Sequence, residues 1–390
     1  MISLTIKFKD LRQFLCFMAK RILIHCDLDA FFASVETIHH HLDESRPLII
    51  GSDPQNGHGR GIVSTCNYAA RKFGVRSAMP ISEAWRRCPG PPMGEAIYMQ
   101  GTRGLYARAS RKVMQILQSV GGPFEKASID EAYMDVTEAV GGDWDQAIKC
   151  CTDLQQEIHA SLGLTASFGI GQTRILAKMG SEVNKPNGIH RTLPDEIESF
   201  LGPRSLREIP GIGPKTSTKL AEWGIETIGD AMQEGILTLG RHVSERFAEW
   251  LFQVIEGESS NDVSLLRSRK SIGKETTFPK DLMDEELVLE HLDSLVIKVM
   301  EKARKEGISG RLGEVKIRYK GFETHSYGKS IPVAMDDVDV FLRISRQLFA
   351  HFVQSGRPIR LIGFRLGNLF QSSIKQTTLD QILDATLEEE

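Results

Sequence analysis

The sequence contains no run of about 18 uncharged apolar residues, the length that a membrane-spanning helix needs, so we expect no membrane association. Cysteine is scarce, and none of the six cysteines lies in a C-x-x-C pair, which argues against a zinc site and a disulfide framework. Free thiols are typical of a reducing compartment, so we expect a cytoplasmic protein. Residues 1–17 are mildly apolar but charged and lack a small-residue cleavage site. We expect an N-terminal extension ahead of Met18 rather than a signal peptide.

Positive charge is not in excess over the whole chain, because the formal net charge is −3, but its distribution is uneven. Residues 265–375 contain 20 Lys and Arg against 14 Asp and Glu, and residues 71–112 contain nine basic residues against two acidic ones. The last fifteen residues carry five acids and no base. Two basic regions with an acidic tail are typical of a protein that binds nucleic acid. A charged run by itself, however, is more often a solvated face.

The first half of the chain alternates between strand-like and helix-like patterns. The main predicted elements are, in order, a strand at 21–27, a helix at 102–119, a hairpin at 126–136, a helix at 144–161 and a strand at 165–170. This β-α-β-β-α-β order is the ferredoxin-like arrangement. A long insertion follows its first strand. The expected elements of the insertion are strands at 46–51 and 62–65 and helices at 67–73 and 80–87.

The second half of the chain contains two further regions of different character. Residues 188–257 are predicted to form short helices and turns, and the polar segment 258–269 is predicted to be a linker. A second β-α-β-β-α-β pattern follows in residues 270–370. Its predicted elements are strands at 271–278, 313–319, 329–334 and 358–366 and helices at 285–305 and 336–354. The fold class is therefore a multidomain α+β protein.

Acidic residues lie at two strand ends of the first predicted sheet. Asp27-Leu28-Asp29 ends the first strand, and Asp130-Glu131 lies near the turn of the hairpin. Alone, each would be an ordinary turn or cap residue. Strand ends of one sheet can be neighbours, however, and carboxylates from distant sequence would then converge. Hard divalent cations such as Mg²⁺ prefer carboxylate oxygens together with substrate phosphates, so the pattern predicts a metal site for two-metal phosphoryl transfer.

Two further segments contain residues suited to phosphate groups. The helix predicted at 67–73 carries Tyr68 and Arg71 one turn apart on one face, where a hydroxyl and a guanidinium both serve phosphate oxygens. Lys185 adds a cation in the turn Lys185-Pro186-Asn187-Gly188. In isolation, an ordinary surface helix and an exposed turn lysine would be the better interpretations of these two segments.

The segment Pro210-Gly211-Ile212-Gly213-Pro214-Lys215 resembles a helix-hairpin-helix element. In such elements, glycine-rich backbone between two helices meets DNA phosphates without reading bases. We therefore predict that Gly211, Gly213 and Lys215 bind DNA, against the alternative of a plain turn between helices.

Four segments together resemble the Y-family translesion DNA polymerases of the DinB type. They are residues 27–36 (DLDAFFASVE), 64–80 (STCNYAARKFGVRSAMP), 128–135 (SIDEAYMD) and 184–188 (NKPNG). The resemblance extends over about residues 20–370. It implies a DNA-directed DNA polymerase, a nucleotidyltransferase that adds dNMP from dNTP to a primer 3′-hydroxyl. It also implies low fidelity without proofreading and a role in DNA damage tolerance.

The resemblance implies four domains and assigns ranges to them. They are a ferredoxin-like palm (18–31 and 99–187), inserted fingers (32–98), a helical thumb with the helix-hairpin-helix element (188–257) and a β-α-β-β-α-β little finger (270–370). Residues 371–390 remain as an acidic tail.

By matching position, the resemblance also implies roles for individual residues. Asp27, Asp130 and Glu131 would bind two Mg²⁺ ions, with Mn²⁺ as a substitute, and the Leu28 carbonyl would add a ligand, whereas Asp29 would be structural. The residues that hold the triphosphate would be Tyr68, Arg71 and Lys185. Phe32 would be the steric gate, an aromatic ring beneath the sugar that excludes a 2′-hydroxyl. The little-finger residues that meet DNA phosphates would be Lys274, Arg357, Arg360 and Arg365.

The expected partners are primer–template DNA and dNTP, and we expect a monomer. The tail segment Gln376-Thr377-Thr378-Leu379-Asp380 partly resembles a peptide that binds the replicative sliding clamp, but the aromatic residue is missing. Clamp binding and a disordered acidic tail both remain open.

The sequence argues against two rival functions. A catalytically dead scaffold would have lost one or more acids of the triad, whereas all three positions are acidic here. A nucleotide cyclase on the same palm fold would have no use for a helix-hairpin-helix element and a basic C-terminal domain.

Overall fold

The computed structural model describes residues 21–259, 262–263, 269–353 and 356–371. The chain divides into two compact units, Met1–Leu266 and Arg267–Glu390, and the boundary lies within the predicted linker. The predicted N-terminal extension and the segment 376–380 lie outside the described residues. Within the described ranges, no helix has both the length and the apolar character needed to cross a bilayer, and the five described cysteines are free.

The first unit is built on a five-stranded sheet. Its strands are β1 (Leu23–Leu28), β5 (Phe124–Lys126), β6 (Glu131–Asp135), β7 (Ala166–Gly171) and β8 (Ile189–Arg191), in the spatial order β5-β6-β1-β7-β8. Each neighbouring pair among β5, β6, β1 and β7 is antiparallel, as the predicted ferredoxin-like order requires. Strand β8 was not predicted. It pairs parallel to β7, so the start of the predicted helical region 188–257 belongs to this sheet.

Helices pack on the sheet through apolar side chains. They are α1 (Phe31–His40), α4 (Leu105–Gln118), α5 (Trp144–Leu162) and α6 (Arg174–Val183). Side chains of α1, α4 and α5 share one core with the sheet. Helix α6 comes unusually close to strand β7, because a Cβ at Gly169 would lie 1.9 Å from the carbonyl oxygen of Ala177. This close approach holds α6 beside the acidic strand ends.

The insertion forms a small sheet of its own. Strand β2 (Leu48–Gly51) is central, with β3 (Val63–Cys66) antiparallel and β4 (Ile97–Met99) parallel to it. The short helices α2 (Tyr68–Arg71) and α3 (Ile81–Arg87) complete the region. The predicted boundary at residue 32 falls inside α1, whose Phe31 and Val35 belong to the core of the five-stranded sheet. Helix α1 therefore joins the two regions.

The rest of the first unit is helical, as expected. Its helices are α7 (Ile197–Leu201), α8 (Pro214–Ala221), α9 (Ile228–His242) and α10 (Glu245–Ile255), with a 3₁₀ turn at Leu206–Glu208. Their apolar side chains form one cluster that also includes Leu176 and Met179 of α6. The helical region is thus anchored to the same helix that flanks the acidic strand ends.

The second unit is a four-stranded antiparallel sheet with two helices. Its elements are β9 (Ser271–Leu282), α11 (Glu285–Lys305), β10 (Ile308–Tyr319), β11 (Thr324–Met335), α12 (Val338–Val353) and β12 (Ile359–Gln371). The spatial order β11-β10-β12-β9 fits the predicted β-α-β-β-α-β pattern, although the strands are longer than predicted. Both helices contribute to a single core with the sheet, and no helix within residues 269–353 and 356–371 covers the other sheet face, which we call the uncovered face.

Candidate active site

Strand pairing brings the predicted metal-binding acids together. In the antiparallel register of β1 and β6, Asp27 lies directly opposite Glu131. One step further, the backbone N–H of Leu28 donates to the carbonyl oxygen of Asp130 at 3.1 Å. Asp27 and Leu28 thus meet Asp130 and Glu131, which lie about a hundred positions later in the sequence, at one end of two neighbouring strands.

Ser128 organises the turn that presents Asp130 and Glu131. Its hydroxyl accepts hydrogen bonds from the backbone N–H groups of Asp130, at 3.1 Å, and Glu131, at 3.0 Å. The same hydroxyl donates to the Asp130 carboxylate. A short polar side chain that bonds to its own turn is a common way to fix local backbone, and here it fixes both acids at the strand end.

Two lysines, one in helix α6 and one in the turn that follows it, form ion pairs with Glu131 and Asp27. The Lys185 ammonium lies 2.7 Å from Asp27 Oδ1, and the Lys178 ammonium lies 2.5 Å from Glu131 Oε1. Burial raises the pKa of Asp27 to about 7, in spite of Lys185. The His25 ring nitrogen, 3.9 Å from Glu131 Oε2, together with Lys178, lowers the pKa of Glu131 to about 2. Opposite charges within a few ångströms favour the ionised form, whereas desolvation opposes it.

Asp29 is directed away from this group and holds the backbone together. Its Oδ1 accepts from the Ser167 hydroxyl at 2.8 Å and from the Tyr68 hydroxyl at 3.4 Å. Its Oδ2 accepts from the backbone N–H of Asn187 at 2.8 Å. Asp29 therefore links the first strand, the insertion and the turn that contains Lys185, as expected for a structural acid.

Of the three predicted triphosphate ligands, Tyr68 and Arg71 contact each other, whereas Lys185 pairs with Asp27. Helix α2 is capped by the side chain of Asn67, which accepts from the Ala70 N–H at 3.0 Å. The Arg71 guanidinium lies over the Tyr68 ring, 4.5 Å from its centroid. Lys185 instead bonds to Asp27 and to Glu182, the latter at 2.6 Å. Asp29 connects Tyr68 to the turn that contains Lys185.

Phe32 is half-buried at the start of α1 and lies flat against Tyr106 of α4. The ring centroids are 4.1 Å apart and the planes differ by 9°. The neighbouring Phe31 is 3 % exposed and belongs to the core. No sequence motif singles out Tyr106, which lies 74 positions from Phe32 in the chain. An aromatic residue on the core-facing side of α4 was the available signal.

The donor set at the strand ends fits a hard divalent cation. Three carboxylates and a main-chain carbonyl are the oxygen ligands that Mg²⁺ takes in proteins. The positions beside Asp27 and Glu131 are already filled by positive charge, from Lys185 and Lys178. Within the described ranges, no three Asp, Glu, His or Cys side chains are grouped as metal ligands. Side-chain rearrangement would therefore accompany ion binding.

The helix-hairpin-helix segment has the geometry that its glycines predict. Gly211 has a φ of +107°, a conformation that other residues rarely adopt. Ile212 is buried, and Gly213 caps α8 at its N-terminus, followed by Pro214 in the first turn. Lys215 is exposed on the same turn. Backbone N–H groups at a helix N-terminus suit a phosphate.

The predicted DNA-binding residues of the second unit do not share one face. Arg365 pairs in register with Glu314 and Gly273 on the uncovered face of the sheet. Lys274 lies opposite Phe364, whose ring is buried in the core, so Lys274 belongs to the helix-covered side. The two residues therefore lie on different faces of the sheet.

Other cations of this unit are held by neighbours. Lys316, which the sequence analysis did not single out, lies on the uncovered face and bonds to Glu275 at 2.7 Å. Arg357 bonds to Glu323 at 2.6 Å and lies over the Tyr319 ring. Arg360 lies over the ring of Phe322, 4.4 Å from its centroid.

Comparison with known proteins identifies the family. Residues 26–182 match the impB/mucB/samB family, residues 269–379 match the C-terminal domain of that family, and residues 194–225 match the IMS family HHH motif. A DNA polymerase IV from Methanoculleus marisnigri is 37% identical over 365 residues, which cover 93% of this chain and 98% of that protein.

Solved structures agree with this result. A Y-family DNA polymerase chimera, Dbh-Dpo4(243-245)-Dbh, has a TM-score of 0.81 and 30% identity, covering 90% of this chain and 99% of the chimera. The insertion ternary complex of Dbh DNA polymerase has a TM-score of 0.63 and 29% identity, with the same coverage. The chain therefore belongs to the Y family of DNA polymerases, in its DNA polymerase IV (DinB) group.

Proposed function

We propose that this template-directed translesion DNA polymerase holds two divalent ions with the carboxylates of Asp27, Asp130 and Glu131 and the carbonyl of Leu28. Y-family polymerases use divalent metal ions, and we infer Mg²⁺, with Mn²⁺ as a substitute, because the donor set is entirely oxygen. The strand register that places Asp27 opposite Glu131 carries this proposal. It gives the acids a fixed backbone, so only side chains need to move.

The remaining site residues would orient the nucleotide. When bound, the ions would activate the primer 3′-hydroxyl and neutralise charge on the leaving pyrophosphate. Tyr68 and Arg71 offer a hydroxyl and a planar guanidinium at the start of the insertion, and both groups suit phosphate oxygens. Lys185 donates to Asp27 and Glu182, and since an ammonium has three donors, one remains for a phosphate.

Phe32 is proposed as the steric gate for the sugar. It follows Asp27 by five residues, and its ring is half-buried and backed by Tyr106. A ring supported from behind cannot retreat from a 2′-hydroxyl. Rejection of the wrong sugar then arises from a clash rather than from better contacts to the right one.

Primer–template DNA and dNTP are the proposed substrates, as in the ternary complex of Dbh DNA polymerase. Gly211, Gly213 and Lys215 would meet phosphates at the N-terminus of α8. On the second unit, the uncovered sheet face would meet the duplex through Arg365 and Lys316. Phosphate contacts of this kind give affinity without sequence preference.

Further contacts and properties remain proposals. Arg357, Arg360 and Lys274 lie elsewhere on the second unit and would add charge to DNA binding. Sliding-clamp binding through residues 376–380, a monomeric state and a cytoplasmic location are inferred from the sequence. Size-exclusion chromatography with light scattering, on the protein alone and mixed with a sliding clamp, tests whether the protein is a monomer and whether it binds the clamp.

Replacement of Asp130 by Asn tests the metal ligands. Since the amide cannot replace the negative charge, we expect nucleotide addition with Mg²⁺ to fall by about a hundredfold or more. Primer–template affinity, measured by fluorescence anisotropy, should stay within about threefold, because it depends on phosphate contacts elsewhere. Asp153→Asn, at an exposed position of α5, is the matched control. Near wild-type primer extension by Asp130→Asn would show that the ligand assignment is wrong.

A further inference from the structure

Glu36 is a buried carboxylate that the proposed chemistry does not use. Its side chain is 0 % exposed, and a charge in that position must be compensated by hydrogen bonds. Three donors reach it, namely the Thr102 N–H at 2.6 Å, the Thr102 hydroxyl at 2.9 Å and the Tyr106 hydroxyl, and His40 Nε2 lies 3.1 Å from Oε2. Burial alone would raise the pKa of Glu36, but the bonds from Tyr106 and Thr102 hold it below its ordinary value.

The position of Glu36 on helix α1 relates it to the proposed gate. Phe32 and Glu36 are one helical turn apart and therefore lie on the same face. Both contact Tyr106: Phe32 stacks on its ring, and Glu36 accepts from its hydroxyl. Two residues on one turn of α1 thus contact the same tyrosine, one at its ring and the other at its hydroxyl.

Further contacts restrict the position of Tyr106. A Cβ at Gly101 would lie 2.5 Å from the Tyr106 hydroxyl oxygen, so the hydroxyl is packed closely against the Gly101 backbone. Phe31 contacts both rings, at centroid distances of 5.6 Å from Phe32 and 6.3 Å from Tyr106. The plane of the Phe32 ring is therefore set by a partner whose own orientation depends on the Glu36 carboxylate.

We propose that Glu36 is a positioning residue for sugar selection, which fixes the Phe32 ring through Tyr106 and so sharpens discrimination against ribonucleotides. The inference rests on the proposed role of Phe32 as the gate. It goes beyond that role because it assigns part of the selectivity to a buried group that does not touch the nucleotide.

Two conservative variants test this role. Glu36→Gln keeps the shape but offers one oxygen to three donors, so at least one of them loses its acceptor. Tyr106→Phe keeps the ring stack and removes only the hydroxyl. Glu83→Gln is the control, since Glu83 pairs with Arg86 and Arg87 on helix α3 of the insertion. The measurement is kcat/KM for single-nucleotide insertion of the matched dNTP and the corresponding rNTP.

The readout is the ratio of the two constants, which a merely structural role would not change. We expect Glu36→Gln and Tyr106→Phe each to lower the deoxyribonucleotide preference by about threefold or more, whereas Glu83→Gln leaves it unchanged. The double variant should lose no more than the larger single loss, because both changes break one link. If Glu36→Gln does not fold, Tyr106→Phe decides the question.

Phe32→Ala separates failure of this inference from failure of the gate. If Phe32→Ala relaxes sugar choice while both conservative variants keep the wild-type ratio, Glu36 is only structural and the inference is wrong. If Phe32→Ala itself leaves the ratio unchanged, Phe32 is not the gate, and the inference fails with it.

Discussion

Two adjacent phenylalanines allow the steric gate to be tested against a built-in control. Phe31 is 3 % exposed and belongs to the core of the five-stranded sheet, whereas Phe32 is half-buried and stacks on Tyr106. Because successive residues of a helix point in different directions, the same substitution at the two positions removes different interactions. Phe32→Ala should change sugar choice, and Phe31→Ala should change stability.

The structure sets the expected size of each effect. Truncation of a fully buried phenylalanine costs about 3–5 kcal/mol, which we expect for Phe31→Ala. Phe32 loses only partial burial and its aromatic contacts with Tyr106 and Phe31, each worth about 0.5–1.5 kcal/mol, so Phe32→Ala should cost about 1–3 kcal/mol and stay folded. If the ring excludes the 2′-hydroxyl, its removal should raise relative ribonucleotide insertion at least tenfold, equivalent to about 1.4 kcal/mol.

Single-nucleotide insertion of matched dNTP and rNTP, combined with urea unfolding, measures both quantities on the same preparations. The gate predicts a changed sugar ratio in Phe32→Ala and an unchanged ratio in Phe31→Ala. The assignment of Phe32 would be refuted if both variants impaired the two substrates equally. A tenfold relaxation in Phe31→Ala instead would move the gate to the neighbouring ring.

Arg174→Met should destabilise the first unit by about 3–5 kcal/mol, because it removes the guanidinium partner of the buried Glu125 carboxylate. The double variant with Glu125→Leu should lose much less in urea unfolding; an equal loss would contradict the ion-pair explanation. Since the folded-state pKa of Glu36 is lowered, its stabilisation should be complete above about pH 4.3 and lost as the pH falls further. Urea unfolding of Glu36→Gln should therefore approach wild type in acid, and a constant difference would oppose this. Arg365→Ala should weaken DNA binding and reduce its salt dependence more than Lys274→Ala, measured by anisotropy at several salt concentrations.

The acidic end of the sheet was predictable because its signals are local. A short apolar strand ending in Asp27, and a hairpin with acids beside its turn, define a strand order that has few alternatives. The ferredoxin-like order then places Asp27 and Glu131 on neighbouring strands, and the structure pairs them directly. Contacts that are set by backbone pairing between adjacent strands can therefore be predicted from the order of elements alone.

Contacts that depend on side chains from distant elements were not predictable in this way. Tyr106 and Glu36 are 70 positions apart, and neither belongs to a pattern that singles out its partner. Strand β8 escaped prediction because it is only three residues long and half-buried. In the second unit, the strands continue beyond their predicted ends. Within the described residues, one face of the sheet carries no helices, so the residues on that face are polar and lack the apolar signal of a strand.

The placement of cations was the least visible feature of the sequence, and it decides how the site balances charge. Three acids meet at the ends of β1 and β6, and two of them are already paired, Asp27 with Lys185 and Glu131 with Lys178. Among the predicted phosphate ligands that the structure describes, Arg71 lies over the Tyr68 ring, and Lys185 is already paired with two carboxylates. A strongly anionic substrate would therefore need cations beyond those of the protein. Carboxylate oxygens beside substrate phosphates are the setting that Mg²⁺ favours, so this charge balance supports metal-assisted chemistry independently of the sequence motifs.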